Sequence, residues 1–382
     1  MATGTPVTSK QLCLATETNL SIMQDCLNPD DNQVRFSFQA VRGILDNLDD
    51  TLLTSNAANQ SRPGDASCPD RTVYMRYLKP DCDPIADTAC TVGWDCDTTA
   101  ETKLEYETVP VTVDDCIEES FTVKVESFQC QCETDPITEL QEKIKRHARR
   151  LAFKYQKKLV EKMHAGVGTH YDGTTTTAPL NIYDDNFKPQ PRGMFHLQNE
   201  YSKQNPNCAE QPILITGSEK FNSYNCDASV FRGNLDGFDP NMSCYNLGNV
   251  YFDRQVQQDL LAIDPALTDG VIAFLPGTYT IAEYYDFEST QTMINPAGRS
   301  IFAPMQNSGS VLRQKVDIGS STLGFPLVVD MQIVYKECEG LGGTVTYRMK
   351  KTFDLCQIPQ GAFCSTYNYS TLWNVECGTV TC

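Results

Sequence analysis

The sequence predicts an α+β protein whose mixed core carries segments that reach away from it. Three observations predict this: one very long amphipathic helix, alternating β runs on both sides of it, and polar stretches with too little core of their own. At 382 residues and 40% hydrophobic composition, the chain has the length of two or three domains and can bury a real core.

The elements follow in chain order. Residues 1 to about 33 are polar without a sustained period and read as an extended arm. Phe38, Val41, Leu45, Leu48 and Leu52 step by 3, 4, 3 and 4, which predicts a short amphipathic helix that Gly43 weakens. Ser55 to Pro69 is a loop. Thr72 to Gln131 reads as β: Val73 to Leu78 is one strand, Cys82 to Thr102 a polar tip bearing cysteines, and Lys103 to Val113 and Phe121 to Phe128 two alternating runs. Asp114, Asp115 and Glu118 to Ser120 are expected to form the turn between those runs, and Pro110 marks the first as an edge strand. Such a two-stranded arm is marginal alone and gains stability by lying across a neighbour.

Pro136 to Met163 is the most informative stretch. Ile137, Leu140, Ile144, Ala148, Leu151, Tyr155, Leu159 and Met163 step by 3 or 4, the spacing of one helical face. Asp135 stands at the N-cap position, Pro136 in the first turn, and Gly166 just past the expected end. Nine Lys or Arg against three Glu make the stretch about +6, in a chain whose net charge is −18. A helix of that size is roughly 42 Å long. It needs a long partner surface, an oppositely charged neighbour, or both.

Beyond it lies a polar stretch, Gly166 to Pro191. Ile213 to Thr216 and Val271 to Leu275 then read as buried strands. Phe252, Val256, Leu260 and Ile263 mark a helix that Pro265 ends, and Pro276-Gly277 is a turn. Leu327 to Tyr335 and Thr344 to Phe353 are strands central in a sheet, joined by a glycine-rich turn.

Composition narrows the function. The acidic balance argues against nucleic-acid binding by the chain as a whole, while leaving room for a local basic stripe. No run of 18 apolar residues is present, so no membrane span is expected, and the polar start, Met1 to Lys10, gives no secretory leader. Seventeen cysteines, an odd number, leave at least one unpaired or bridged to another chain. Four Asn-x-Ser sequons, at Asn19, Asn59, Asn241 and Asn368, accompany them. The cysteines are read as reduced thiols made in a cytoplasm, or as the framework of a secreted, disulfide-rich binding or adhesion protein.

No catalytic motif is present: no phosphate-binding glycine loop, no Gly-x-Gly-x-x-Gly, no Gly-x-Ser-x-Gly. The four histidines, His147, His164, His170 and His196, form no recognisable site. Cys82, Cys90, Cys96, Cys130 and Cys132 come together if the β arm folds back on itself. They lack paired zinc knuckles and are candidates for disulfides or inter-subunit bonds. Asp236, Asp239 and Asn241 resemble part of a calcium loop but lack its spacing and closing Glu. No enzyme activity, metal or cofactor is therefore expected. Lys143, Arg146, Arg149, Arg150, Lys154, Lys157 and Lys158 are the candidate contacts to a polyanion, whether nucleic acid or the acidic surface of another subunit.

The order of elements resembles the HK97-type major capsid protein of tailed bacteriophages. "PILITGSEKFNSYN" (Pro212 to Asn225), "GFDPNMSCYNLGNVYFDRQV" (Gly237 to Val256) and "VIAFLPGTYTIAEYYDF" (Val271 to Phe287) resemble segments from phages of Bacteroidota, including the crAss-like group. "FPLVVDMQIVYKEC" and "YRMKKTFDLCQIP" fit that family's closing strands. The resemblance implies an N-terminal arm (1–60), an extended E-loop hairpin (61–134), and a peripheral domain (135–209) with its spine helix (136–164). An axial domain (210–300) and return strands with a C-terminal tail (301–382) would follow. It further implies an icosahedral shell around double-stranded DNA, assembled in the host cytoplasm and located in the virion. The implied partners are copies of the chain as hexamers and pentamers, with portal, scaffold and decoration proteins, and with limited DNA contact. The cysteine load and the lack of a scaffold-like N-terminal coiled coil depart from many members.

Overall fold

The computed structural model describes residues 38–53, 59–61, 72–78, 106–124, 136–171, 180–183, 212–222, 250–286, 311–320, 323–337, 343–359 and 369–377. The first half of the chain gives helix α1 (Gln39–Leu45), a 3-10 turn (Asp50–Leu52) and strands β1 (Asn59–Ser61), β2 (Thr72–Leu78), β3 (Tyr106–Thr112) and β4 (Asp115–Lys124). The long helix α2 (Pro136–Gly166) follows, then β5 (Thr169–Tyr171), β6 (Leu180–Tyr183), β7 (Ile213–Thr216) and β8 (Val250–Phe252). Helix α3 (Arg254–Ile263) leads into β9 (Gly270–Phe274), β10 (Tyr279–Tyr285), β11 (Val311–Asp317), β12 (Val328–Glu337), β13 (Gly343–Gln357) and β14 (Ser370–Cys377). The fold is thus mixed α and β, with few helices and several sheets.

Strand β13 is the hub of a six-stranded sheet. Thr352 and Phe353 pair with β4 on one edge and β10 on the other, so β12 and β10 follow one another along one side of β13 while β4 runs along the opposite side. β11 flanks β12, and β1 adds parallel to β10. The alternation in β13 explains its position. Val345, Tyr347, Met349 and Phe353 face the core, whereas Arg348 and Lys350 face out. From Lys351 to Cys356 every residue is buried, because that end of the strand is covered on both sides.

A second six-stranded sheet has β14 between β9 on one edge and β5 and β6 on the other, with β7 and β8 continuing beyond β9. One hydrophobic core joins the two sheets. It contains Ile144, Ala148, Leu151, Ala152, Tyr155, Leu159, Val160 and Met163 of the long helix, together with Val123, Val256, Leu260, Ile272, Phe274, Met331, Tyr347 and Phe353. The buried stripe of the helix is wider than the expected seam, because Ala152 and Val160 are also covered. Tyr155 meets Phe353 edge to face at 4.7 Å.

Several expectations need correction. The short helix ends at Leu45, where Asn47 Nδ2 donates to the Gly43 carbonyl at 2.7 Å, so Leu48 and Leu52 lie beyond it. Phe252 belongs to β8, and α3 starts from an Asp253 cap whose Oδ1 accepts the Gln255 N–H at 3.0 Å. Gly166 is the last helical residue rather than the one after it. Its carbonyl accepts from Gln357 Nε2 at 2.8 Å, and a Cβ there would lie 1.7 Å from Gln357 Oε1, so the glycine permits close approach of the helix end to β13.

The β arm differs most. The run before Asp114 does not pair with the run around Phe121. β3 pairs antiparallel with β2, and β4 joins the main sheet along β13. Asp115 and Glu118 to Ser120 are strand, not turn. Their charge suggested exposure, but partners across the fold satisfy it, as the next subsection describes. Pro110 does lie on an edge strand, opposite Tyr74.

Gly43 yields a test against simple helix propensity. Ala normally stabilises a helix interior relative to Gly by about 1 kcal/mol. Here a Cβ would meet the Tyr251 ring at 2.5 Å. Gly43→Ala is therefore expected to destabilise by about 1–3 kcal/mol in denaturant titrations. Gly43→Ala on a Tyr251→Ala background is expected to reverse sign.

Candidate assembly surface: the long helix, its acidic strand and the hairpin

Strand β4 alternates strictly. Asp115, Ile117, Glu119, Phe121 and Val123 face the long helix, while Cys116, Glu118, Ser120, Thr122 and Lys124 face away. The inward acids meet the helix cations. Glu119 accepts from His147 Nδ1 at 2.8 Å and from Lys154 Nζ at 2.5 Å, and Arg150 Nη1 lies 3.5 Å away. Lys154 also donates to the Glu118 carbonyl at 2.7 Å. One turn or more along, Lys162 bridges Asp115 at 2.8 Å and Asp354 at 2.9 Å. His147 stacks on Phe121 at 4.6 Å, and Phe121 stacks on Tyr347 at 4.8 Å, which ties helix, β4 and β13 by aromatic faces.

Burial alone would raise the Glu119 carboxyl. Hydrogen bonds from Lys154 and His147, and their charges, outweigh it and hold the group below its ordinary range. Burial would likewise lower the Lys162 ammonium, but Asp115 and Asp354 raise it. Both groups stay charged across neutral pH.

The structure thus gives several of the seven candidate cations an internal partner. Arg150 and Lys154 converge on Glu119, and Lys158 pairs with Glu161 at 2.8 Å. Lys157 lies near Asp259. Lys143 and Arg149 are half-buried and Arg146 is exposed. Sequence reasoning missed that β4 supplies a polyanionic surface for this helix. The signal was present: Asp115 and Glu119 are four apart, the same face of a strand.

The opposite face of the sheet is polar and self-neutralising. Arg348 grips Glu118 through Nε and Nη2, both at 2.9 Å, Lys350 pairs with Asp286 at 2.9 Å, and Thr122 meets Thr346 at 3.0 Å. Beneath the helix, Lys351 is buried and contacts Glu283, donates to the Val328 carbonyl at 3.2 Å, and lies 5.2 Å from the Tyr155 ring centre.

The β2–β3 hairpin is anchored on its own subunit, which corrects the expectation of an arm that only a neighbour stabilises. Val73, Met75 and Tyr77 pack with Leu52, Leu53, Ala282, Tyr284, Cys356 and Ile358 in a second hydrophobic cluster on the far side of the main sheet. Its other face is open. Tyr74 and Tyr106 are 51% and 50% exposed, and the Arg76 guanidinium lies 3.9 Å from the Tyr106 ring centre.

Cys82, Cys90, Cys96, Cys130 and Cys132 lie outside the described residues, as does the arm before residue 38. Cys116 is an exposed free thiol and Cys356 a buried one, raised to about 12 by burial and by Asp354. Among the described residues no group of three or more His, Cys, Asp or Glu could hold a metal ion, and no helix is long and apolar enough to cross a membrane.

No protein-family model and no curated protein matches the chain. Several solved structures align with most of the chain. The cyanophage Pam1 capsid asymmetric unit gives a TM-score of 0.48 at 9% identity, covering 90% of this chain and 95% of that one. A Mycobacterium phage Cain structure gives 0.44 at 12% identity, covering 92% and 93%. The asymmetric unit of the bacteriophage PhiM1 mature capsid gives 0.42 at 8% identity, covering 93% and 91%.

The Glu119 cluster makes a pH-dependent prediction. Its folded carboxyl is held below its unfolded range, so its contribution is present above the unfolded value near pH 4.5 and is lost as pH falls through the folded one. Glu119→Gln is expected to destabilise by about 1–3 kcal/mol at pH 7. Thermal melts of wild type and variant are expected to converge as pH falls through the lowered Glu119 value, below the ordinary carboxylate range.

Proposed function

We propose that this chain is an HK97-type major capsid protein of a tailed bacteriophage, and that its copies assemble into an icosahedral shell around double-stranded DNA. The observation that carries the reading is the combination of a long helix clamped to a large sheet and one open aromatic face. A 31-residue helix is clamped to one face of a six-stranded sheet, and against the far side of that sheet packs a two-stranded hairpin whose outer face is aromatic and cationic. Exposed Tyr and Arg on a rigid β platform are the side chains that dominate protein interfaces. In this reading Tyr74, Arg76 and Tyr106 meet another copy of the chain.

The domain layout belongs to the same proposal: arm 1–60, E-loop 61–134, peripheral domain 135–209 with spine helix, axial domain 210–300, and return strands and tail 301–382. β4 is built into the main sheet, and Cys82, Cys90 and Cys96 lie in the sequence between β2 and β3. These three, with Cys130 and Cys132, are proposed as inter-subunit or disulfide partners. Internal pairing of Arg150, Lys154 and Lys158 supports a limited role for the helix in DNA contact, with Arg146 and Lys157 among its exposed cations. Hexamers and pentamers of this chain, a portal, a separate scaffold and decoration proteins are the proposed partners. The location is the virion after assembly in the host cytoplasm, and the phages of Bacteroidota, including the crAss-like group, are the proposed source. The role is structural, not enzymatic, and no described residue favours a secreted disulfide-rich reading.

Sedimentation and negative-stain microscopy of the purified full chain test this directly. Capsomers or closed uniform shells are expected, and a stable monodisperse monomer under all conditions would overturn the reading. Replacing Tyr74 and Tyr106 together by Ser is expected to reduce assembly at least tenfold while leaving the melting temperature of the subunit within about 2 °C.

A further inference from the structure

The two sheets are bridged by helices. α2 lies on β4 and β13 of the first sheet, and α3 connects β8 to β9 of the second. Where these helices meet, Val160, Val256 and Leu260 make an apolar contact. Polar side chains interrupt it. Gln156 on α2 is wholly buried, and its amide lies beside the Asp253 carboxylate. Asp253 and Asp259 of α3 are 8% and 4% exposed. Asp253 Oδ1 accepts the Gln255 N–H, and Asp259 Oδ1 accepts from Gln255 Nε2 at 3.2 Å. Oδ2 of Asp259 is buried without a hydrogen bond, whereas Asp253 also receives the Ala40 N–H and the Gln156 amide. Native interiors seldom leave a buried carboxylate oxygen unsatisfied.

A carboxylate in that position is badly solvated, and a proton removes the charge that causes the penalty. We propose that the seam between α2 and α3 is a protonation-controlled joint between the two sheets, closed by proton uptake at Asp259 and loosened by proton loss. The groups facing Asp259 are Lys157 and Glu161 from the long helix and Asp253 and Gln255 from its own. Burial raises Asp259 to about 6, Asp253 and Glu161 add to the rise, and Gln255 and Lys157 oppose it. Burial also raises Asp253, against its Gln255 and Ala40 backbone bonds and the neighbouring Gln156 amide.

The sign follows from linkage. The closed seam binds the Asp259 proton more tightly than the open one, so opening grows as pH rises above the ordinary value of 3.8 and levels off above about 6. The joint is independent of whether the chain assembles, because both helices belong to one subunit.

Hydrogen exchange of the full-length chain, corrected for intrinsic rates, tests it at residues 152–160 and 254–263. Protection there is expected to fall roughly tenfold between pH 5 and pH 7.5. Asp259→Asn is expected to hold the high-protection state at pH 7.5 and to remove more than half of the change. Should that variant fail to fold, Lys157→Met provides the second arm: loss of the opposing cation moves the transition to higher pH. Flat protection in the wild type, an Asp259→Asn variant that keeps most of the pH dependence, or an unmoved transition in Lys157→Met would overturn the proposal.

Discussion

The contact between the long helix and strand β4 organises this molecule. The helix carries far more positive charge than its exposed face can tolerate in isolation, since like charges at helical spacing repel. It also carries an apolar stripe that must be covered. β4 answers both needs from one strand face: Ile117 and Val123 cover the stripe, and Asp115 and Glu119 neutralise the cations. Because β4 is hydrogen-bonded along ten residues to β13, the helix is fixed to the hub of the main sheet.

The rest of the structure is arranged around that fixed bar. The sheet's near face takes the helix and the shared core, and part of its far face takes the hairpin base through Ala282, Tyr284 and Cys356. The remaining far face is closed off electrostatically by Glu118–Arg348 and Lys350–Asp286. Among the described residues, the outer side of the hairpin is an open aromatic face. In the proposed reading, that open aromatic face is where another copy of the chain would dock. Each such contact is modest, and stability becomes collective only when many form together.

Much of the fold was legible in the sequence, for identifiable reasons. The long helix follows from eight apolar positions at helical spacing, and the buried strands at Ile213 and Val271 from continuous apolar runs. The central place of β12 and β13 follows from their length and alternation. The turn at Pro276-Gly277 was legible because Gly277 takes a positive φ of 75° that glycine alone tolerates well. Strand pairing was not legible. Asp115, Glu118 and Glu119 look like turn residues until the cations of α2 and Arg348 are placed beside them, and those partners are 28 to 230 positions away. The close approaches at Gly43 and Gly166 were hidden for the same reason: each depends on a side chain, Tyr251 or Gln357, that local sequence does not bring near. The polar seam at Gln156, Asp253 and Asp259 was also invisible, since a polar residue on a helix reads as solvent-facing until another helix covers it.

A cryo-electron-microscopy reconstruction of the purified particles tests the central claim most directly, because it sees the helix–strand clamp and the open hairpin face at once. The account predicts Glu119 of each subunit seated against His147 and Lys154 of the same subunit, with Tyr74, Arg76 and Tyr106 covered by a second copy. A map in which the helix leaves its own β4, or in which the hairpin's outer face points to solvent in every subunit, would contradict it.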